Sequence, residues 1–162
     1  MRRVTGAFIA GAVGLATFVG LAAPASAVTG TQRFIVVVRS GPGQESCTII
    51  ATGPITGAGT CVVEDVSEEE TVVHATIGGS AFDVTATTQS ATSDFNEQAC
   101  VFRFTLTETF VVKGVSGAFA NASGSGTDVV TGTFVAPKTA SGCSDEAASG
   151  VIVGRGTGTV TL

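Results

Sequence analysis

Gly114-Val115-Ser116-Gly117-Ala118-Phe119-Ala120-Asn121-Ala122-Ser123-Gly124-Ser125-Gly126 is the stretch that decides the fold. Its four glycines surround a single large aromatic, and threonine/valine runs flank it on both sides. Glycine tolerates positive φ and lets two strands approach closely. The pattern therefore reads as a strand, a tight corner and a return strand, with Phe119 plugging one end of a barrel or sandwich. A phosphate cradle of similar composition opens a helix and carries a Lys before Ser or Thr. Here strand sequence follows and no such Lys is present.

Outward from the corner, every strong segment has strand character. Arg33–Arg39 is a β-branched run bounded by Gly30 and by Ser40-Gly41-Pro42-Gly43. Ser46–Ala51 and Thr60–Val66 form a hairpin about Pro54, and Glu70–Ile77 and Ala81–Thr87 meet at Gly78-Gly79-Ser80. Gln89–Glu97 is polar and reads as a long connection. Ala99–Lys113, Gly126–Val135 and Val151–Leu162 supply the remaining strands, with a polar loop from Pro137 to Gly150. No window carries the apolar spacing of an amphipathic helix. Eight or nine strands with short connections mean an all-β domain, either an antiparallel closed barrel or a sandwich, with a Greek-key immunoglobulin-like arrangement as the form a sandwich would take. Thr-x-Thr pairs such as Thr105/Thr107 and Thr157/Thr159 keep no fixed period, so they read as solvent faces of strands rather than an ice-binding ladder.

Alternation is clearest in Val101-Phe102-Arg103-Phe104-Thr105-Leu106-Thr107. Phe102, Phe104 and Leu106 share the inner face, and the same parity carries on through Glu108 to Phe110 and Val112. A carboxyl on a core face has a raised pKa and serves as a general acid or a ligand anchor. Against this, fifteen residues is long for a strand, and the simpler expectation is a bulge near Thr107-Glu108 that returns Glu108 to water. If the barrel holds a cavity, Phe102, Phe104 and Phe110 are its expected lining, with Glu108 as the one polar candidate.

The chain opens with Arg2-Arg3, an uncharged Ala/Gly/Val/Leu run from Ala7 to Ala23, Pro24, and Ala25-Ser26-Ala27. That is the form of an export signal with a small-x-small cleavage site, bacterial in composition. Residues 1–27 are thus expected to be cleaved, leaving 28–162 as a single secreted domain with no membrane span. The leader holds two of the eight basic residues and none of the thirteen acids, so its loss takes the net charge from −5 to −7. A negative, lysine-poor surface repels phosphate backbones, so no nucleic-acid partner is expected. Trp and Tyr are absent, which removes the usual platforms for sugars and for paratope-like recognition.

Cys47, Cys61, Cys100 and Cys143 make an even count in an exported chain, which implies two disulfides. Cys47 and Cys61 lie seven residues either side of Pro54, so a hairpin there sets them opposite one another. Cys100–Cys143 follows by exclusion. In the chain-entropy view the two loops contribute roughly 3 and about 4 kcal/mol. No C-x-x-C pair exists, so neither a metal site nor any cofactor is expected.

No catalytic residue can be assigned. The single histidine, His74, falls by parity with Val72 and Thr76 on the outer face, opposite Val73, Ala75 and Ile77. Glu64-Asp65-Val66-Ser67-Glu68-Glu69-Glu70 lacks the spacing of a calcium loop and reads as a charged hairpin tip. Asn121-Ala122-Ser123 is a glycosylation sequon on a surface loop, of little weight in a bacterial chain.

The corner resembles the strand–corner–strand motif of the dirigent and allene oxide cyclase-like barrels, written V-V-G-G-T-G-x-F-x-x-A-x-G. Gly114, Gly117, Phe119, Ala122 and Gly124 match it residue by residue, and Ser116 takes the threonine place. Val115 stands where a second glycine is usual, and Lys113 replaces an apolar residue. The resemblance covers about fifteen residues. It implies a calycin-like eight-stranded barrel with a cavity. Plant members act on fatty-acid epoxides or steer phenoxy-radical coupling, while many secreted bacterial relatives have no assigned activity. No matching catalytic set lies outside the corner. The expectation is therefore a secreted barrel that binds a small apolar ligand without chemistry. The alternatives are a cyclase or isomerase on the same barrel, a structural or protein-interaction role, and a sandwich similar to the antibiotic-carrier apoproteins.

Overall fold

Strand segments of two-residue periodicity and one glycine corner leave little for the chain to form except sheet. The computed structural model describes residues 27–140, 142–144 and 147–162. The expected leader, but for Ala27, lies outside them. The strands are β1 (Thr29–Gly41), β2 (Gln44–Thr52), β3 (Gly57–Asp65), β4 (Glu70–Ile77), β5 (Ser80–Asn96), β6 (Val101–Ser116), β7 (Ser123–Val135), β8 (Lys138–Thr139), β9 (Gly142–Cys143) and β10 (Ser149–Thr161). Eight of them close an antiparallel barrel in the order β1-β10-β7-β6-β5-β4-β3-β2, and β8 and β9 form a small ribbon between β7 and β10. Each barrel strand pairs with its neighbour in sequence, and β1–β10 pairing seals the ring. Closure leaves the barrel wall without an open side, and free edges remain on the outer half of β5 and on the β8–β9 ribbon. It rules out the immunoglobulin-like sandwich, and with it the likeness to antibiotic-carrier apoproteins.

Two expectations about the strands are corrected. Residues 89–96 are not a connection but the outer half of β5, paired with β6 as far as Asn96↔Val101. Their side chains are exposed, so no apolar alternation marked them as strand. The bulge expected in β6 lies instead across the ladder in β5, between Thr88 and Ser90. It takes up the extra residue there, so the parity of β6 holds through Glu108 as far as Gly114, and the irregularity in β6 itself falls later, at Val115.

The two ends of the barrel differ. At one end lie the corner (Gly117–Phe119 in a single 3₁₀ turn), the Gly53–Thr56 turn and the Gly78-Gly79 turn. This end is packed solid by Phe82, Phe119, Ile55, Ile77, Val112 and Val160. Phe119 meets Phe82 edge-on with ring centroids 5.7 Å apart, and Phe82 stacks on Phe34 at 5.8 Å. Gly114 is required by close approach, since a Cβ there would overlap the Phe119 carbonyl oxygen. Gly117 has φ +64°, and its neighbour Ala118 donates its N–H to Ser80 Oγ at 2.9 Å. Gln32, fully buried, holds the Gly53–Thr56 turn: its Nε2 donates to Ile55 O at 3.0 Å and its Oε1 accepts from Ile55 N at 2.9 Å.

The opposite end gathers the Pro42-Gly43 turn, the acidic Val66–Glu69 turn, the β5–β6 tip and the β7–β10 connection. Here the Cys100–Cys143 disulfide ties the tip of β5–β6 to the β8–β9 ribbon. Cys47 and Cys61 are direct cross-strand partners on β2 and β3, bridged with Cα atoms 4.9 Å apart.

Candidate functional site

The solid packing stops halfway up the barrel. Above it lies a cavity of about 390 Å³, within the range of small-molecule sites. Its floor is Phe34, Ile49 and Phe110, with Phe34 and Phe110 in edge contact at 5.9 Å. Its walls are aliphatic: Val36, Val73, Val84, Leu106, Val130 and Ile152. Its rim, at the end carrying the second disulfide, holds Ser40, Glu45, Asp65 and Thr71. Thr71 Oγ1 donates to Asp65 Oδ1 at 3.3 Å.

Glycines opposite phenylalanines shape this interior. Phe110 faces Gly126, Phe104 faces Gly132 and Phe134 faces Gly150 across neighbouring strands. A Cβ at any of these glycines would overlap the opposing ring. The rings lie over bare backbone and occupy the space that side chains on β7 and β10 would take. On β10, Gly156 lies under the Phe110 ring, whereas Gly154 lines the cavity with no ring over it.

Of the four residues named from sequence, Phe104, Glu108 and Phe110 line the cavity. Phe102 shares their face but sits on the part of β6 that projects beyond the ring, 38% exposed, with its ring 5.9 Å from that of Phe104. Glu108 is not returned to water. It is 5% exposed and turned inward one step above Phe110. Its Oε1 accepts a hydrogen bond from Thr88 Oγ1 at 3.2 Å.

Asp128 is the cavity-lining acid that sequence reading missed. It stands directly across from Glu108 on β7 and also lines the cavity. Its Oδ1 is wholly buried and makes no hydrogen bond. The signal was present in the alternation Gly124-Gly126-Asp128-Val130-Gly132-Phe134, but three glycines on that face leave too little apolar contrast to reveal it. Burial raises the Asp128 pKa to about 6, and the neighbouring Glu108 charge adds to the rise. Burial also raises Glu108, with the Thr88 hydrogen bond opposing it. No Lys, Arg or His lines the cavity among the described residues.

His74 lies on the outer surface of β4, away from this interior. Its Nδ1 is 2.8 Å from Asp83 Oδ1 and its Nε2 3.2 Å from Glu64 Oε2. With both ring nitrogens held by carboxylates, neither is free to act as a base. The acidic tip is a turn in which Ser67 Oγ accepts from the Glu69 and Glu70 N–H groups. Among the described residues no three His, Cys, Asp or Glu side chains are placed to hold a metal ion, and no helix is long and apolar enough to cross a membrane.

Comparison with protein-family models, with curated proteins and with solved structures gives no match.

Proposed function

We propose that this chain is a secreted, disulfide-braced barrel of the dirigent-like kind that holds one small, largely apolar molecule and performs no chemistry on it. The observation that carries this reading is the half-filled interior. A floor of buried aromatics supports an aliphatic chamber of about 390 Å³ whose walls are kept thin by glycine. Eight strands give a barrel just wide enough to be filled by side chains or to hold one small ligand, and here the upper half is left unfilled. Two disulfides, one pinning the mouth, suit an oxidising exterior. The test is mass spectrometry of organic extracts of protein recovered from the medium of its native host. A small molecule that co-purifies reproducibly, and that displaces an apolar fluorescent probe from the barrel, is expected. Repeated absence of both overturns the reading.

A cyclase or isomerase is the second reading, favoured by one observation: the paired carboxyls Glu108 and Asp128 face the cavity, with burial pushing the Asp128 pKa up to about 6. Such a pair can pass a proton to or from a bound molecule. On that reading the bound molecule is converted, and Glu108→Gln abolishes conversion while binding remains. Recovery of the ligand unchanged after prolonged incubation excludes it.

A further inference from the structure

We propose that the molecule held in the barrel is a cation with an apolar body, an amine or quaternary ammonium, whose positive head sits against Glu108 and Asp128. This rests on the ligand-binding reading above and narrows it to a chemical class.

A carboxyl placed among aliphatic and aromatic side chains loses its hydration, so it is ordinarily met by a cation or by hydrogen-bond donors. Glu108 receives one hydrogen bond, from Thr88, and its second oxygen has no protein partner among the described residues. Asp128 Oδ1 has none, although it is wholly buried, and the carboxyl is otherwise met only by its own backbone N–H. The two acids are adjacent on β6 and β7, so when both are ionised neither relieves the other. Nothing basic approaches from the flanking strands: β5 offers Thr88, and β10 offers Gly154 and Gly156. Across the chamber the charged groups are Glu45 on β2 and Asp65 on β3, both acidic and both at the rim. The chamber thus presents only negative charge, concentrated deep on one wall, over an apolar floor. An anionic lipid or fatty acid would bring a third carboxylate into that wall and is disfavoured. A neutral apolar molecule would leave both acids unpaired. An ammonium group satisfies both, and its chain lies on Phe34, Ile49 and Phe110. Aromatic faces within reach of the head add to the attraction.

The test compares three straight ten-carbon probes, decylamine, decanol and decanoate, by isothermal titration calorimetry at about pH 7.5. Decylamine is expected to bind at least about tenfold more tightly than decanol, the margin of a charge-assisted hydrogen bond, and decanoate most weakly. In Glu108→Gln/Asp128→Asn the amine should lose that margin while decanol binds as before. In the parent protein the margin should also shrink near pH 4.5, as the two carboxyls take up protons. Decanol or decanoate matching decylamine in the parent protein overturns the cation assignment and leaves the apolar-ligand reading standing. If none of the three binds, both readings fall. The comparison within the parent protein decides the matter even if the double variant folds poorly.

Discussion

Glu108 and Asp128 face each other across the β6–β7 ladder with both carboxyls turned into the barrel and, among the described residues, no cationic side chain lining the cavity beside them. Like charges directly opposed on neighbouring strands destabilise a sheet, and burial adds to the cost. The arrangement makes sense as a site held ready for something else, and it leaves a thermodynamic signature.

Asp128 has a folded-state pKa of about 6, above its ordinary 3.8. A raised carboxyl pKa means the fold prefers the protonated form. Asp128 therefore favours folding below pH 3.8, and that advantage is lost as pH rises through about 6. Asp128→Asn removes the loss. After discounting for partial solvation, the variant should gain about 1–2 kcal/mol at neutral pH and nothing near pH 3.5. Thermal melts of both proteins across that range check it. A gain that does not change with pH would show that the ionised carboxyl is not the cause.

Gly114 and Gly154 should answer the same substitution in opposite ways. At Gly114 an added Cβ collides with the backbone of the corner, at the Phe119 carbonyl and the Ala122 amide. Gly114→Ala is expected to cost more than about 3 kcal/mol, because backbone rather than a side chain must move. At Gly154 the nearest atoms are Val130 Cγ2 at 3.6 Å, Val36 Cβ at 3.8 Å and Asp128 Oδ2 at 3.9 Å, all ordinary contacts. Gly154→Ala should leave stability equal or raise it by about 0.4–1 kcal/mol. It also places a methyl in the cavity beside the acid pair, so probe affinity should fall. Denaturant titration and probe titration of the two variants measure these effects. Loss of stability at Gly154 comparable to that at Gly114 would mean the upper barrel is packed rather than open.

Gln32 is expected to matter more than any exposed residue of β1. Gln32→Leu keeps the volume but leaves the Ile55 N–H and C=O without partners in a fully buried place. The cost should be about 2–3 kcal/mol, read as a lower midpoint in urea with an unchanged slope. A neutral outcome would show that water reaches the Ile55 turn.

The corner and β6 were legible in the sequence because each carries its own local logic. Glycines mark where backbone crosses backbone at Gly114 and Gly117, and Phe102 to Phe110 alternate without interruption. The Cys47–Cys61 pairing followed from hairpin symmetry about Pro54. What stayed hidden depended on partners far along the chain. Gln32 is buried only because Ile55, 23 residues later, needs both of its hydrogen bonds. The inward turn of Glu108 depended on a bulge lying in β5 rather than β6. Asp128 was concealed by glycines, whose purpose is visible only when Phe104, Phe110 and Phe134 are laid over them. Pairing register, not composition, brought the two acids together.

His74 offers a separate measurement on the outer wall. Its hydrogen bond to Asp83, then that to Glu64, raises its pKa above 6.5. A histidine whose folded pKa is raised contributes stability below its unfolded pKa, and loses it as pH rises through the folded value. His74→Gln should therefore lower the melting temperature slightly at pH 5–6 and leave it unchanged at about pH 9, the small size reflecting an exposed ion pair. Because His74 is the single histidine of the chain, its ring resonances can be followed without assignment. The midpoint in the parent protein should lie above 6.5 and move down in Asp83→Asn more than in Glu64→Gln, since Asp83 makes the shorter contact, 2.8 against 3.2 Å. The reverse order would place the imidazole nearer β3 than β5 and break the link between the barrel's register and its surface charges.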